Sequence, residues 1–407
     1  MGSAELQQSQ TNRKKVFKPT DLSIKDFNGR VPSYLHQPNT PLGLYYFVRD
    51  LFCVGAFWYL GTLIDPLSSH LAKLGFSSAA LITRWTLWPL YWFFQSLAMS
   101  ALWVLGHECG HRAFSSSQAV CDAVGYVCHS FTGTPYFSWK ITHHVHHSFH
   151  GSYERDSHHI PKTRSELGIP PEAPGKAVNY SEFIEDTPIY TISMLLVHQL
   201  IGFPLFLATN LGGQRSFPAF SSHYNPWATA LFKPSQRFAI VASDIGIFSV
   251  IMACVYSSKF YGWLAVWKYY IIPWLGVNHW IMVIVYLQHT DPEIPHYRSG
   301  EWTYVRGAAC TVDRPLLGEL GRIFFHDVAH FHVAHHLFPR MPFYHTEEAT
   351  KIIKEILGDH YLYHERYWIP NLLHSFQSCQ FVEDEGQILF YKDKNGEAAV
   401  EVVGESN

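Results

Sequence analysis

Three short stretches hold the residues whose types and spacing could do chemistry: "HECGH" at 107–111, "HHVHH" at 143–147 and "HVAHH" at 332–336. Each helical residue turns the chain by about 100°, so positions i, i+3 and i+4 share one face. His107 and His111 therefore share a face, as do His143, His146 and His147, and again His332, His335 and His336. Eight imidazoles are too many for one ion, because zinc takes four ligands and its catalytic sites usually draw three from protein. They suit two first-row metals. "HECGH" also spells the His-Glu-x-x-His of zinc proteases, in which the glutamate is the base. An intramembrane metalloprotease is therefore a rival reading; it uses His107, Glu108 and His111 and leaves the other clustered histidines idle. A carboxylate-bridged di-iron bundle needs paired Glu-x-x-His motifs, and Glu108 with His111 finds no partner. A metal-ion carrier, the non-enzymatic rival, favours ligands within its spans near the midplane, whereas these boxes lie just outside theirs.

The elements that must position these faces are membrane helices. Of 407 residues, 15% are charged and 16% aromatic, which points to a polytopic membrane protein and not to two or three soluble domains. A net charge of −3 leaves no footprint for nucleic acid. The seven cysteines form no CxxC pair, so a reducing, cytosol-facing environment fits better than a disulfide framework. The beginning of the chain is polar and basic (Arg13, Lys14, Lys15, Lys18), and no cleavable signal peptide is expected.

A spanning helix needs about 20 mostly apolar residues. Trp85 to Gly106 and Tyr269 to Thr290 carry no Asp, Glu, Lys or Arg, Phe238 to Ser258 holds only Asp244, and Leu44 to Ile64 is interrupted only by Arg49 and Asp50. Ile189 to Thr209 is uncharged but contains His198, Gln199, Gly202 and Pro204. If all boxes meet at one site, an even number of crossings separates the second from the third. With 238–258 and 269–290 both crossing, 189–209 is expected to be interfacial or re-entrant. Basic residues at 107–188 (Arg112, Lys140, Arg155, Lys162, Arg164, Lys176) place that segment on the cytosolic side. The organisation expected is a polar cytosolic tail over 1–40, a membrane domain over 41–375 and a C-terminal tail over 376–407 that frays beyond the Asn395-Gly396 turn. The remaining histidines, among them His150, His158, His159, His198, His279 and His345, read as structural or surface residues.

The boxes, with "PYFSWKITHHVHH", "YLQHTDPEIPHY", "RGAACTVDR" and "HLFPRMPFYHTEEAT", resemble the membrane fatty-acid desaturases, and within them the Δ12 (oleate) and ω-3 branch. The likeness covers roughly residues 40 to 375. It implies an all-α integral membrane protein of about four transmembrane helices plus interfacial helices, bearing a cytosolic, histidine-rich di-iron cap in the endoplasmic reticulum membrane. The implied metal ligands are His107, His111, His143, His146, His147, His332, His335 and His336, with His289 as a ninth. The implied reaction is O2-dependent, acting on a phospholipid-linked acyl chain, with two Fe ions as cofactor. A diverged acetylenase, conjugase, hydroxylase or ω-3 desaturase would use the same scaffold.

Oxidising an unactivated methylene demands two irons with positions left open for O2, and neutral imidazoles hold them without adding negative charge. Each ligand needs an outer partner for its second ring nitrogen; Asp156, Asp291, Asp313 and Asp327 are candidates. A bent apolar tunnel would select the carbon. No HPGG, GxGxxG or CxxC carrier motif occurs, so the resemblance implies a separate cytochrome b5 and its NAD(P)H-dependent reductase as electron donors. The sequence departs from the usual branch pattern at His144, Arg112 and the His158-His159 pair.

Overall fold

The computed structural model describes residues 14–174 and 176–403, and the first part of the expected N-terminal tail lies outside them. Among the described residues the helices, in chain order, are α1 (Ile24–Asn28), α2 (Thr40–Thr62), α3 (Ile64–Lys73), α4 (Ser77–His111), α5 (Gln118–Phe131), α6 (Tyr136–Phe149), α7 (Pro188–Thr209), α8 (Arg237–Tyr261), α9 (Trp263–His289), α10 (Tyr304–Ala308), α11 (Glu319–Phe324), α12 (His332–Leu337), α13 (Phe343–Leu357) and α14 (Trp368–Ser378). Short strands pair in twos: β1 (Lys15–Phe17) with β6 (Val400–Val402), β2 (His296–Tyr297) with β5 (Ile388–Leu389), and β3 (Val312–Asp313) with β4 (Leu362–Tyr363).

Local chemistry sets the ends of the long helices. Asn39 caps α2 by accepting from the Leu42 amide at 3.1 Å, and Pro41 follows where a missing N–H costs nothing. The 35 residues of α4 give it about 52 Å of length, enough to cross a bilayer and project beyond it. It stops after the first box, where Arg112 turns left-handed at φ 63°. Near the start of α9 a π-turn over Trp267–Ile271 precedes Pro273, which has no N–H to offer.

Small residues let the helices that carry the site approach closely. A Cβ on Gly276 of α9 would sit 2.5 Å from the Ser96 Cβ of α4, and one on Gly106 would sit 2.1 Å from the His129 ring of α5. The main apolar core lies between α4, α7 and α9, around Leu97, Met99, Phe203, Trp280 and Ile284. Outside it runs a band of exposed apolar side chains, including Phe52, Trp85, Ile189 and Phe238, the last 90% exposed. A surface of that kind belongs in lipid.

Four helices are long and apolar enough to cross a membrane: Thr40–Lys73, Pro188–Thr209, Pro234–Tyr261 and Trp263–His289. This set takes in the 189–209 stretch expected at the interface and leaves out α4, whose Trp, Tyr, Gln and Ser residues dilute its hydropathy. The attachments of the helix ends differ between α4 and α7. Trp92 of α4 donates to the Lys268 carbonyl at the start of α9, and Lys268 pairs with Asp65 of α3 at 2.7 Å, so these residues mark the end of the bundle opposite the boxes. From there α4 and α9 both run to the histidines. By contrast, both ends of α7 attach to the polar cap around the boxes. Before it, Asp186 pairs with Lys394 at 2.5 Å; after it, Gln214 donates to the Glu154 carbonyl at 3.0 Å.

The two expected tails are anchored wherever they are described. Phe27, Val31 and Leu35, in a short helix, the bend after it and the following turn, are buried against Val333, Leu337 and Ile353 and pin an otherwise polar segment. At the other end Phe381 and Val382 are fully buried, and β6 pairs in parallel with β1 instead of fraying. All seven cysteines are free thiols.

Candidate metal centre

Four helices deliver the histidines to one place. The last turn of α4 supplies His107 and His111, α6 supplies His143, His146 and His147, the final residue of α9 is His289, and α12 supplies His332, His335 and His336. The donor nitrogens of His107, His111, His143, His147 and His335 all lie within 4.8 Å of one another. Those of His146, His150, His289 and His336 form a second group on the same criterion. His332 stands at its edge, with Nε2 3.1 Å from His289 Nε2. The two groups adjoin through His147 and His336, whose rings stack at 4.2 Å. Adjacent residues of one box thus serve different groups, since 146 and 147 point about 100° apart around their helix.

The hydrogen bonds fix which ring nitrogen faces inward. A carbonyl only accepts, so His332 Nδ1, at 2.9 Å from the Val328 carbonyl, carries the proton and leaves Nε2 as the lone pair. His146 Nδ1 lies 2.8 Å from Asp156 Oδ1, the arrangement that orients a metal-binding imidazole. Facing Nε2 atoms in the pairs His143–His147 and His289–His332 are each 3.1 Å apart. Two neighbouring nitrogens bound at about 2.1 Å to one ion stand about 3 Å apart, so both pairs match an edge of a coordination polyhedron. Nε2 of His111, Nε2 of His335 and both ring nitrogens of His336 are buried without a hydrogen-bond partner among the described residues. Each such orphan costs about 1–3 kcal/mol, a cost that a bound cation removes. The donor set therefore fits two metal ions.

Burial also keeps the imidazoles neutral. It pushes His146 and His332 down to about 3, and it holds His143, His147, His335 and His336 well below the ordinary range, with neighbouring imidazoles adding to the effect. Lone pairs are thus available at neutral pH. Asp156, raised by burial to about 7, is the one expected aspartate that meets a box histidine. Asp291 pairs with Arg314 at 2.6 Å, Asp327 with Arg322 at 2.9 Å, and Asp313 accepts from the Val333 amide at 2.7 Å, so Asp313 fixes the backbone of the third box and not a ring. Glu108 lies behind His107, its Oε1 3.2 Å from His107 Nδ1, and not on the side where a protease base would meet a bound water.

A cavity of about 200 Å³ opens beside the groups. Apolar Trp103, Phe203, Phe206, Met282 and Val285 line it together with His107, His143, His146, His289 and His332. His158 and His159, read from sequence as loop residues, line it too, as does His198. His158 packs on Phe206 at 4.7 Å, and the His159 ring stacks on His289 at 5.1 Å. His144 is exposed and points away from both groups. His279 packs on Trp280, and His345 near Tyr34. His150, read from sequence as a structural or surface residue, stands in the second group of donor nitrogens. Its signal was the i+4 spacing from His146, which carries the histidine face one turn past the second box.

Nine imidazoles in two adjoining groups, with His332 at the edge of one, beside a largely apolar cavity define a membrane protein built around a polyhistidine metal site. The family model for "Fatty acid desaturase" matches residues 86–368. The chain belongs to that family. It is 38% identical to a Delta(12) fatty acid desaturase of Mortierella isabellina over 377 residues, 91% of each chain. It is also 35% identical to a Delta(12)-fatty-acid desaturase of Arabidopsis thaliana, covering 96% of this chain and 97% of the relative. An oleate hydroxylase of Claviceps purpurea is similar as well, at 39% identity over 93% of this chain and 83% of its own.

Proposed function

We propose that this protein introduces a second double bond into oleoyl chains carried on membrane phospholipid, a Δ12-type desaturation. The observation that carries the reading is the pair of imidazole groups beside a largely apolar cavity that their members His107, His143, His146 and His289 help to line. In this reading His107, His111, His143, His147 and His335 hold one iron, and His146, His289, His332 and His336 hold the other. With O2, the bound irons supply the oxidising power that removes hydrogen from unactivated methylenes.

The protein's residues supply position and dryness. Phe203, Phe206 and Met282 exclude water and hold the chain, while the fixed bend of an existing double bond lets the cavity count along it. The two C–H bonds broken, two outside electrons and two protons from solvent together reduce O2 to two waters, and the two carbons that lose hydrogen form the new double bond. Cytochrome b5, reduced by its NAD(P)H-dependent reductase, provides those electrons on the cytosolic face of the endoplasmic reticulum, where the histidine cap lies. Because its two ends attach to one cap, α7 lies along the membrane interface, and α2, α4, α8 and α9 make the crossings.

The test is expression in a host rich in oleate but lacking polyunsaturated lipids, with cytochrome b5 supplied. Linoleate, two mass units lighter than oleate, is the expected product. Untouched oleate under aerobic conditions rejects the substrate assignment. A hydroxylated, acetylenic or conjugated product keeps the iron centre and moves the protein to another outcome of the same scaffold.

A further inference from the structure

His150 lies outside the three boxes, yet it sits in the second imidazole group. We infer that His150 is a tenth metal ligand, binding the second ion through Nε2. The inference rests on the two-ion reading above. Its ring centroid is 4.2 Å from that of His336, 4.7 Å from His289 and 4.9 Å from His146, distances like those between the box histidines themselves. Its Nδ1 lies 2.9 Å from the Gly307 carbonyl, so Nδ1 must donate and Nε2 keeps the lone pair. This is the tautomer that a metal ligand needs, and a backbone carbonyl is one of the usual groups that enforce it.

The residue is also held in place from outside the site. As the residue that caps α6, it carries a carbonyl that accepts from Trp302 Nε1 at 2.9 Å. A Cβ on Gly307 would come within 2.1 Å of that carbonyl, so only glycine there lets the segment that donates and the segment that accepts close on each other. The side chain is buried. A surface or loop histidine needs none of this.

With His150 counted, each ion has five imidazoles. His107, His111, His143, His147 and His335 surround the first; His146, His150, His289, His332 and His336 surround the second. That set would still leave room for O2 or water at each ion.

A substitution separates ligation from packing. Asparagine can place its amide N–H near the Nδ1 position and keep the bond to Gly307, but it lacks the Nε2 atom. Full-length wild type, His150→Asn and the exposed control His144→Ala would be purified in nanodiscs and loaded anaerobically with Fe(II). Metal would be counted by mass spectrometry, with Mössbauer spectra of the same samples. Wild type and His144→Ala should each hold two irons. His150→Asn should keep its apo melting temperature but bind one of the two irons at least about tenfold more weakly, with one iron subspectrum changed. Imidazole added to His150→Ala should restore that iron. Two irons of unchanged affinity and spectrum in His150→Asn would overturn the assignment of His150 alone. Fewer than two irons in wild type would instead overturn the two-ion reading on which it depends.

Discussion

His332 Nε2 lies 3.1 Å from His289 Nε2, across 43 residues of chain. One is the first residue of α12 and the other is the last residue of α9. Residues 290–331 therefore form a closed excursion that begins and ends at the metal centre. Arg314 staples it by donating to the Leu287 carbonyl at 2.9 Å and to Asp291 at 2.6 Å.

His289→Ala should therefore lower metal content and not only turnover. The expected result is loss of about one of two irons by mass spectrometry, with the protein still integrated in the membrane, because the apolar helices carry the insertion energy. Full metal content with full activity would remove His289 from the ligand set.

Asp156 acts through His146. Replacing it by Ala leaves the ring free to turn and should weaken metal affinity by about 10–100-fold, the usual effect of losing an outer partner. Competition with a chelator of known affinity would measure it. Asp327→Asn, which loses the charge of the pair with Arg322 and tolerates the left-handed backbone there, should leave affinity unchanged.

Acid should empty the site. His146 and His332 sit near 3 when folded against 6.5 for the free group, so between those values the unfolded chain binds more protons than the folded one. Stability contributed by these groups is complete above pH 6.5 and falls as the pH drops towards 3. Proton competition for the metal acts in the same direction. Metal retained after gel filtration should hold steady from pH 7 to 8 and decline below about 6.5.

The disposition of α7 can be read by labelling. Cysteines introduced at the exposed positions Ser165 and Ser216 flank this helix and should react from the same side of the membrane. Opposite accessibility would make α7 a fifth crossing.

Arg164 binds Glu383 through two bonds of 2.7 Å and is buried at the junction of the 161–184 loop with the C-terminal segment. Arg164→Lys cannot reproduce that fork and should cost about 1.5–3 kcal/mol, read as a lower melting temperature with metal content retained.

The residue types settled much of this protein before any coordinate. Helical spacing alone puts His107 with His111, and the three histidines of each later box, on single faces, because 3.6 residues per turn leaves no other arrangement. The charge-free runs similarly fixed the membrane class. Tertiary structure decided how those faces are shared out. His146 and His147 are neighbours in sequence, yet they serve different groups, and that division depends on where α4, α9 and α12 approach α6. His150 needed Gly307 and Trp302, both about 150 residues away, to fix its tautomer and position. The course of α7 was legible only in part, because hydropathy reports how readily a helix dissolves in lipid and says nothing of where its ends are tied. Lys394 and Glu154, distant in sequence, hold those ends on one face.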